Sequence, residues 1–197
     1  MPRPPRFDTG ELLDAAVLLA AGGGPAAVTM SAVAQTVAAP SGSVYHRFTG
    51  RPALLAEVWL RTVEGFQEGY LAALDSDPDP RRAARAGARH VVAWSRAHPR
   101  EAALLLYGAE QFGRSGWSEE HRERADRGNG RVFARLDELG TALGATGPEG
   151  RDRVVLALID LPLAAIRRPL RAGLPLPAHA EHLAETSAAA LLGESTA

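Results

Sequence analysis

The hydrophobic positions of the chain recur with helical spacing along nearly its whole length. Clusters of glycine, proline and aspartate interrupt this pattern and separate its segments. Helices are predicted over about 8–21, 30–37, 41–48, 51–74, 81–98, 99–112, 131–143, 151–171 and 177–192. The charged, glycine-interrupted segment 114–130 favours a mobile connection, and Pro162 is expected to kink its helix. Since no segment has the pattern of a strand, an all-α fold is predicted.

Two short helices between Thr29 and Phe48 carry the pattern on which the functional prediction depends. Thr29 is a good N-cap for the first helix. That helix has an apolar face at the i, i+3, i+4, i+7 spacing, made of Met30, Val33, Ala34 and Val37. Pro40 disfavours a helical conformation at Ala39, and its own fixed φ suits the start of a second helix. Two short helices joined by a tight turn form a helix-turn-helix, whose second helix enters the major groove of DNA.

The second helix leaves most of its polar groups outside. Val44 and Phe48 are four residues apart and are expected to face inward. The outward positions are Ser41, Gly42, Ser43, Tyr45, His46 and Arg47. Small residues at the start of the helix allow its backbone to approach DNA, and its amides and the Tyr45 hydroxyl suit phosphate contacts. From the spacing alone, simple packing of both helices onto a bundle is an equally good interpretation.

The segment Ser41–Phe48 is followed by Arg51 and by the apolar pair Leu54 and Leu55. In these residues the chain resembles the TetR family of transcriptional regulators, and the resemblance extends from Asp8 to about Leu60. Ala38 departs from that family's pattern, which often has glycine in the turn. The resemblance implies an N-terminal three-helix helix-turn-helix domain (residues 1–50) and a C-terminal helical ligand-binding and dimerisation bundle (residues 51–197). It also implies that Arg51 contacts a phosphate. The predicted DNA-binding residues are Thr29, Ser41, Gly42, Ser43, Tyr45, His46, Arg47 and Arg51.

Charge and cysteine content narrow the classes of function. The chain of 197 residues has a formal net charge of −1 and no cysteine. Without cysteine there is no disulfide framework and no thiolate metal site. A net charge close to zero argues against a protein that coats nucleic acid indiscriminately. No acid lies between Pro40 and Leu55, and Arg3 and Arg6 precede the first helix, so the basic residues concentrate where DNA is expected to bind.

Membrane, metal and cofactor sites are not predicted. No apolar run reaches about 18 residues, and the N-terminus lacks the apolar stretch of a signal peptide, so a cytoplasmic protein without a membrane partner is expected. His179 and His182 are one turn apart, and His90 and His98 two turns apart, but no further ligands are evident near them. We therefore expect no metal site and no cofactor.

Aromatic residues of the C-terminal part suggest a ligand site. Core packing accounts for most of them, but helix bundles also place apolar cavities between their helices. The predicted lining is Phe66, Tyr70, His90, Trp94, Tyr107, Phe112, Phe133 and Asp160. The expected ligand is a largely apolar small molecule, because this lining offers aromatic surface and few charges.

One short recognition helix reads few bases, so a homodimer on a palindromic operator is expected. The apolar runs of the last two long helices, 151–171 and 177–192, are the predicted dimer interface. The resemblance to the TetR family implies a homodimeric repressor that a small molecule releases from its operator. The alternatives are a helical-bundle enzyme and an interaction protein with a vestigial DNA-binding module. The sequence lacks GxSxG, HExxH and a glycine-rich phosphate loop, so an enzyme is not predicted.

Overall fold

The computed structural model describes residues 8–193, apart from the side chain of Ser41. Arg3 and Arg6 lie outside the described residues. Over residues 8–193 the fold is all-α without strands, which confirms the predicted class. The α-helices are α1 Thr9–Gly23, α2 Met30–Thr36, α3 Ser41–Tyr45, α4 Arg51–Leu74, α5 Pro80–Ala97, α6 Pro99–Leu105, α7 Glu119–Ala142, α8 Gly147–Val155, α9 Leu161–Arg171 and α10 Ala180–Leu192. Pro25–Ala27 and Arg114–Gly116 form 3₁₀ turns, and Leu156–Asp160 forms a π-helical segment.

The described residues form two compact units. The first extends to Val63 and also includes Ala103–Ala125, whereas the second consists of Glu64–Ala102 and the described residues from Asp126 onward. Helices α4 and α7 therefore contribute residues to both units. The division of function at residue 50 stays a prediction, because the two units are defined by packing and not by function.

The first unit is built on α1, which is capped at both ends. Asp8 accepts a hydrogen bond from the Glu11 amide, and the Glu11 side chain accepts one from the Asp8 amide. The helix ends at Gly24, whose φ of 71° lies in the left-handed region that favours glycine. The fully buried side chains of this unit include Leu12, Ala16, Val28, Val33, Val44, Leu54, Leu60, Leu104 and Phe112. Its core therefore holds both helices of the helix-turn-helix in place.

Helix α2 ends in a Schellman motif with alanine where glycine is usual. The Ala39 amide donates to the Ala34 carbonyl (2.9 Å) and the Ala38 amide to the Gln35 carbonyl (3.1 Å). Ala38 has a φ of 53° and is the one non-glycine residue with positive φ in the described chain. The turn expected from Pro40 is thus completed by a strained alanine. Helix α3 ends at Tyr45, three residues before the expected end at Phe48.

Replacing Ala38 by glycine is expected to raise the free energy of unfolding by about 1 kcal/mol, because a left-handed conformation costs an L-residue roughly 1–2 kcal/mol. The Ala38 side chain is exposed, so little packing is lost. Urea denaturation of both proteins measures the difference. Ala39→Gly is the matched control and should destabilise, since Ala39 does not have positive φ. An Ala38→Gly protein that is less stable than the parent would contradict the argument.

The second unit packs α5 against α9, α10 and the π-helical segment. Gly87 allows α5 to pack closely against α4 as well, since a Cβ there would lie 2.4 Å from Leu74 Cδ2. On the outer face of α5, Arg89 and Arg96 both form ion pairs with Glu181 of α10. Both arginines are exposed, as is typical of the solvated face of a bundle helix.

Two expectations about the middle of the chain are wrong. The helix that starts at Pro99 ends at Leu105 and not near residue 112. The segment 114–130 is not an irregular connection, because a 3₁₀ turn and the first half of α7 occupy it. Ser118 starts α7 by accepting a hydrogen bond from the His121 amide (3.3 Å). Gly128 lies inside α7 and does not break the helix. A Cβ at this position would lie 2.5 Å from Gln67 Oε1, so the glycine allows the Gln67 side chain to pack closely.

Candidate DNA-binding surface

Helix α3 presents a short polar surface held in place by two apolar anchors. Val44 and Phe48 are buried in the core of the first unit. Tyr45 is 60% exposed, and His46 and Arg47 are also exposed. Gly42 is exposed and Ser43 is half-buried at the start of the helix. The structure thus places hydroxyl, imidazole and guanidinium groups side by side on one surface, where they can meet base edges and phosphates.

Thr29 caps α2 and remains available at the surface. Its Oγ1 accepts a hydrogen bond from the Ala32 amide (3.1 Å), and the residue is exposed. The hydroxyl proton is not used by this cap, so the same group can still donate to a phosphate oxygen. The predicted N-cap is therefore compatible with the predicted phosphate contact, which stays a prediction.

The Arg51 side chain makes two hydrogen bonds that the sequence did not indicate. Its Nε donates to the Val28 carbonyl (2.8 Å) and its Nη2 to the Pro25 carbonyl (2.9 Å). These partners lie 23 and 26 residues earlier in the chain. The sequence does not reveal this contact, because no local pattern signals a pairing over that distance. The N–H groups of Nη1 and the second N–H of Nη2 remain for the predicted phosphate contact.

The segment that contains this surface matches a known family. Residues 12–58 match the model described as "Bacterial regulatory proteins, tetR family". The match extends from α1 into α4 and includes the whole helix-turn-helix. Residues 12–58 are a TetR-family segment. The family resemblance in the sequence is thereby confirmed, and with it a DNA-binding transcriptional regulator.

Solved structures of transcriptional regulators share the fold along nearly the full chain. PfmR from Thermus thermophilus has a TM-score of 0.72 at 18% identity, and the similarity covers 98% of this chain and 100% of that one. FadR from Bacillus subtilis, in complex with stearoyl-CoA, has a TM-score of 0.69 at 13% identity, with coverages of 94% and 98%. KstR2 of Mycobacterium tuberculosis, a ketosteroid transcriptional regulator, has a TM-score of 0.67 at 19% identity, with coverages of 96% and 95%. No curated protein matches the chain at a significant level.

Four of the eight predicted ligand-pocket residues lie together in the second unit. The rings of Phe66 and Tyr70 stack, with centroids 5.5 Å apart. Phe66 also meets Trp94 edge to face at 5.3 Å. The Tyr70 hydroxyl donates to the carbonyl of Leu158 in the π-helical segment (3.0 Å), and burial raises the pKa of this hydroxyl. The result is an aromatic cluster of Phe66, Tyr70, His90 and Trp94.

His90 is the polar member of this aromatic cluster. Burial lowers the pKa of its imidazole, and a backbone hydrogen bond with Phe66 opposes that shift. Within the described part of the chain, Nε2 is buried without a hydrogen-bond partner. A Cβ at position 69 would lie 2.5 Å from the imidazole Cε1, so Gly69 makes room for the ring. His90 is thus a half-buried imidazole whose Nε2 has no hydrogen-bond partner among the described residues.

The other four predicted pocket residues do not join the aromatic cluster. Tyr107 and Phe112 pack edge to face in the first unit, where Phe112 is fully buried. Phe133 is 49% exposed, and Asp160 is exposed at the end of the π-helical segment. Their aromatic or polar character was visible in the sequence, but the unit to which each belongs was not.

Neither a metal cluster nor a membrane span is found in residues 8–193. There, no group of three or more His, Asp or Glu side chains is arranged to hold a metal ion. No helix of the same residues is long and apolar enough to cross a membrane.

Proposed function

We propose that this TetR-family regulator is a homodimeric repressor that binds a palindromic operator and is released by a largely apolar small molecule. The observation that carries the proposal is the polar surface of α3, anchored by buried Val44 and Phe48 within the segment matched by the family model. No catalytic activity is proposed. The protein is expected to act in the cytoplasm, where it meets its DNA.

In this proposal α3 lies in the major groove. Ser43 and Tyr45 contact base edges and the adjacent backbone, and His46 and Arg47 add hydrogen bonds from the exposed end of the helix. The amides of Ser41 and Gly42 at the start of α3 face a phosphate together with the Thr29 hydroxyl.

Dimerisation is proposed through the outer faces of the π-helical segment and α10. Leu156 is 42% exposed and Leu183 is 51% exposed in the second unit. Large exposed apolar side chains on neighbouring elements are typical of an interface. In contrast, several other apolar residues of the predicted interface are buried in the core of their own unit, namely Val154, Leu158, Ala184 and Ala188. A two-fold interface would place two α3 helices on two half-sites.

An apolar ligand is proposed to bind beside the aromatic cluster. Phe66 and Trp94 are partly exposed and present ring faces and edges, while His90 offers one hydrogen-bonding nitrogen. An apolar site with a single polar group favours a ligand with the same distribution. The names of the structural neighbours support this class, since one was crystallised with stearoyl-CoA and another is a ketosteroid transcriptional regulator.

The switch is proposed to act through α4, whose residues belong to both units. A ligand can shift the equilibrium between two arrangements of the protein only by the difference in its binding free energy for them. Coupling of about 1–3 kcal/mol corresponds to a roughly 5- to 150-fold loss of operator affinity.

Selection of duplexes from a random-sequence pool by the purified protein tests the proposal. The selected duplex is expected to be palindromic, to bind two copies of the chain, and to bind more weakly as salt rises. A random-sequence duplex of equal length is the control. Recovery of no preferred sequence would refute sequence-specific repression, and a non-palindromic site bound by one copy would refute the dimer.

Trp94 allows the ligand site to be tested directly. A compound that releases the selected duplex is expected to change Trp94 fluorescence, because Trp94 contacts Phe66 in the proposed site. In Trp94→Phe the release should need roughly tenfold more compound, whereas duplex affinity without the compound should stay unchanged. Trp117→Phe is the matched control, since Trp117 is buried in the first unit. Equal release from Trp94→Phe and the parent would place the ligand elsewhere.

A further inference from the structure

A single side chain connects the two ends of the helix-turn-helix. Val28 directly precedes Thr29, the N-cap of α2. Arg51 is the first residue of α4 and follows α3 after the connection 46–50. The Arg51 guanidinium donates from Nε to the Val28 carbonyl and from Nη2 to the Pro25 carbonyl, at 2.8 and 2.9 Å. Two hydrogen bonds of one side chain thus close the whole segment 28–51.

The two carbonyls are suited to a cation. Pro25 and Val28 are buried, and the Pro25 carbonyl also accepts the Val28 amide (3.2 Å) at the end of the 3₁₀ turn. The end of such a turn carries partial negative charge on its carbonyl oxygens, which a guanidinium neutralises. Without the guanidinium the Val28 carbonyl would lose this part-buried hydrogen bond, whereas the Pro25 carbonyl would keep the Val28 amide. The start of α2 is therefore held by Arg51.

We propose that Arg51 is a positioning residue of DNA recognition, and that its guanidinium fixes α2 and α3 relative to the start of α4. The inference rests on the proposed function, since it assigns a role in DNA binding. It differs from the phosphate contact that the family resemblance implies. Arginine is required because its planar fork supplies two donors in a fixed geometry, whereas lysine supplies one compact charge.

The two roles predict different effects on DNA binding. A phosphate contact contributes equally on every sequence, and its loss lowers the slope of log affinity against log salt by about one. A positioning residue acts through the contacts that α3 makes. Its loss weakens binding to the preferred sequence more than to other sequences and leaves the salt slope unchanged.

Three variants separate these roles: Arg51→Lys, Arg51→Ala and, as a control for a direct contact, Arg47→Ala. Each is titrated against the duplex selected by the parent protein and against a scrambled duplex, over a series of salt concentrations. Arg51→Lys and Arg51→Ala are both expected to bind the selected duplex roughly tenfold more weakly, since each loses the two charge-assisted hydrogen bonds. Arg51→Lys keeps the positive charge, so its affinity for the scrambled duplex and its salt slope should stay at the parent values. Arg47→Ala should lower the slope by about one.

Amide hydrogen exchange without DNA tests the closure independently. The Ala32 and Val33 amides, which bond to Thr29 Oγ1 (3.1 Å) and to the Thr29 carbonyl (3.0 Å), are expected to exchange faster in Arg51→Lys than in the parent. Unchanged exchange would overturn the proposal. The proposal would also be overturned if Arg51→Lys bound the selected duplex as tightly as the parent. A further contradicting result would be that Arg51→Ala loses the same factor of affinity for both duplexes and has a lower salt slope. If the parent selects no duplex at all, the proposed function fails while the exchange measurement still decides the closure.

Discussion

Replacing Tyr45 and Arg47 together by alanine is expected to weaken binding to the selected duplex by roughly 100-fold or more, since each good base or phosphate contact contributes about 1–3 kcal/mol. Both side chains are exposed on α3 or directly after it, and neither belongs to the core of the first unit. The fold should therefore survive. Fluorescence anisotropy with labelled duplex measures the affinity, and circular dichroism measures the helix content.

The charge removed with Arg47 requires its own control. Arg131→Ala removes an exposed arginine from the second unit and should leave duplex affinity unchanged. Tyr45→Phe keeps the ring and removes only the hydroxyl, so it should have a smaller effect than the double variant. A folded double variant that binds the selected duplex as tightly as the parent would remove α3 from the DNA interface.

Placing arginine at both Leu156 and Leu183 is expected to convert the dimer to a monomer and to lower affinity for the palindromic duplex by at least about 100-fold. Two charges in each half of a two-fold interface become desolvated without partners, and a monomer reads only one half-site. Both leucines are about half exposed, so the unit itself should tolerate the change. Sedimentation velocity at micromolar concentration measures the oligomeric state.

The matched control is Leu174→Arg, which changes an exposed leucine (61%) after α9 and outside the proposed interface. It should leave both the dimer and the affinity intact. A double variant that still sediments as a dimer would place the interface on another surface. A parent protein that is monomeric and yet binds the full palindrome tightly would remove dimerisation from the proposal.

Much of the fold followed from local patterns. The bounds of α4 were predicted as 51–74, and those of α5 agree to within one residue at each end. Caps and helical periodicity act within about four residues, so they are readable from the sequence. The exceptions were the helix from Pro99, which ends at Leu105, and the segment 114–130, where glycine usually marks a break. Gly128 is instead required by the close approach of Gln67, a residue distant in sequence.

The candidate DNA-binding surface was also predictable from local patterns, whereas the candidate ligand pocket was predictable only in part. The exposed set on α3 was predicted from two apolar anchors four residues apart, and the structure buries both of them. The eight pocket residues were selected only by their aromatic or polar character. Four of them form the aromatic cluster, whereas Tyr107 and Phe112 pack in the first unit. Residue type does not specify which of several apolar cores a side chain enters.

The sequence by itself determined the helices, the turn between α2 and α3, and the polar surface of α3, because hydrogen bonds and side-chain spacing within a few residues specify them. Only the tertiary structure decided which helices share a core and which partners the polar groups meet. Arg51 reaches carbonyls 23 and 26 residues away, and the imidazole of His90 lies against Gly69 of another helix. Such contacts depend on how amphipathic faces combine, and many combinations satisfy the same local pattern until the chain packs.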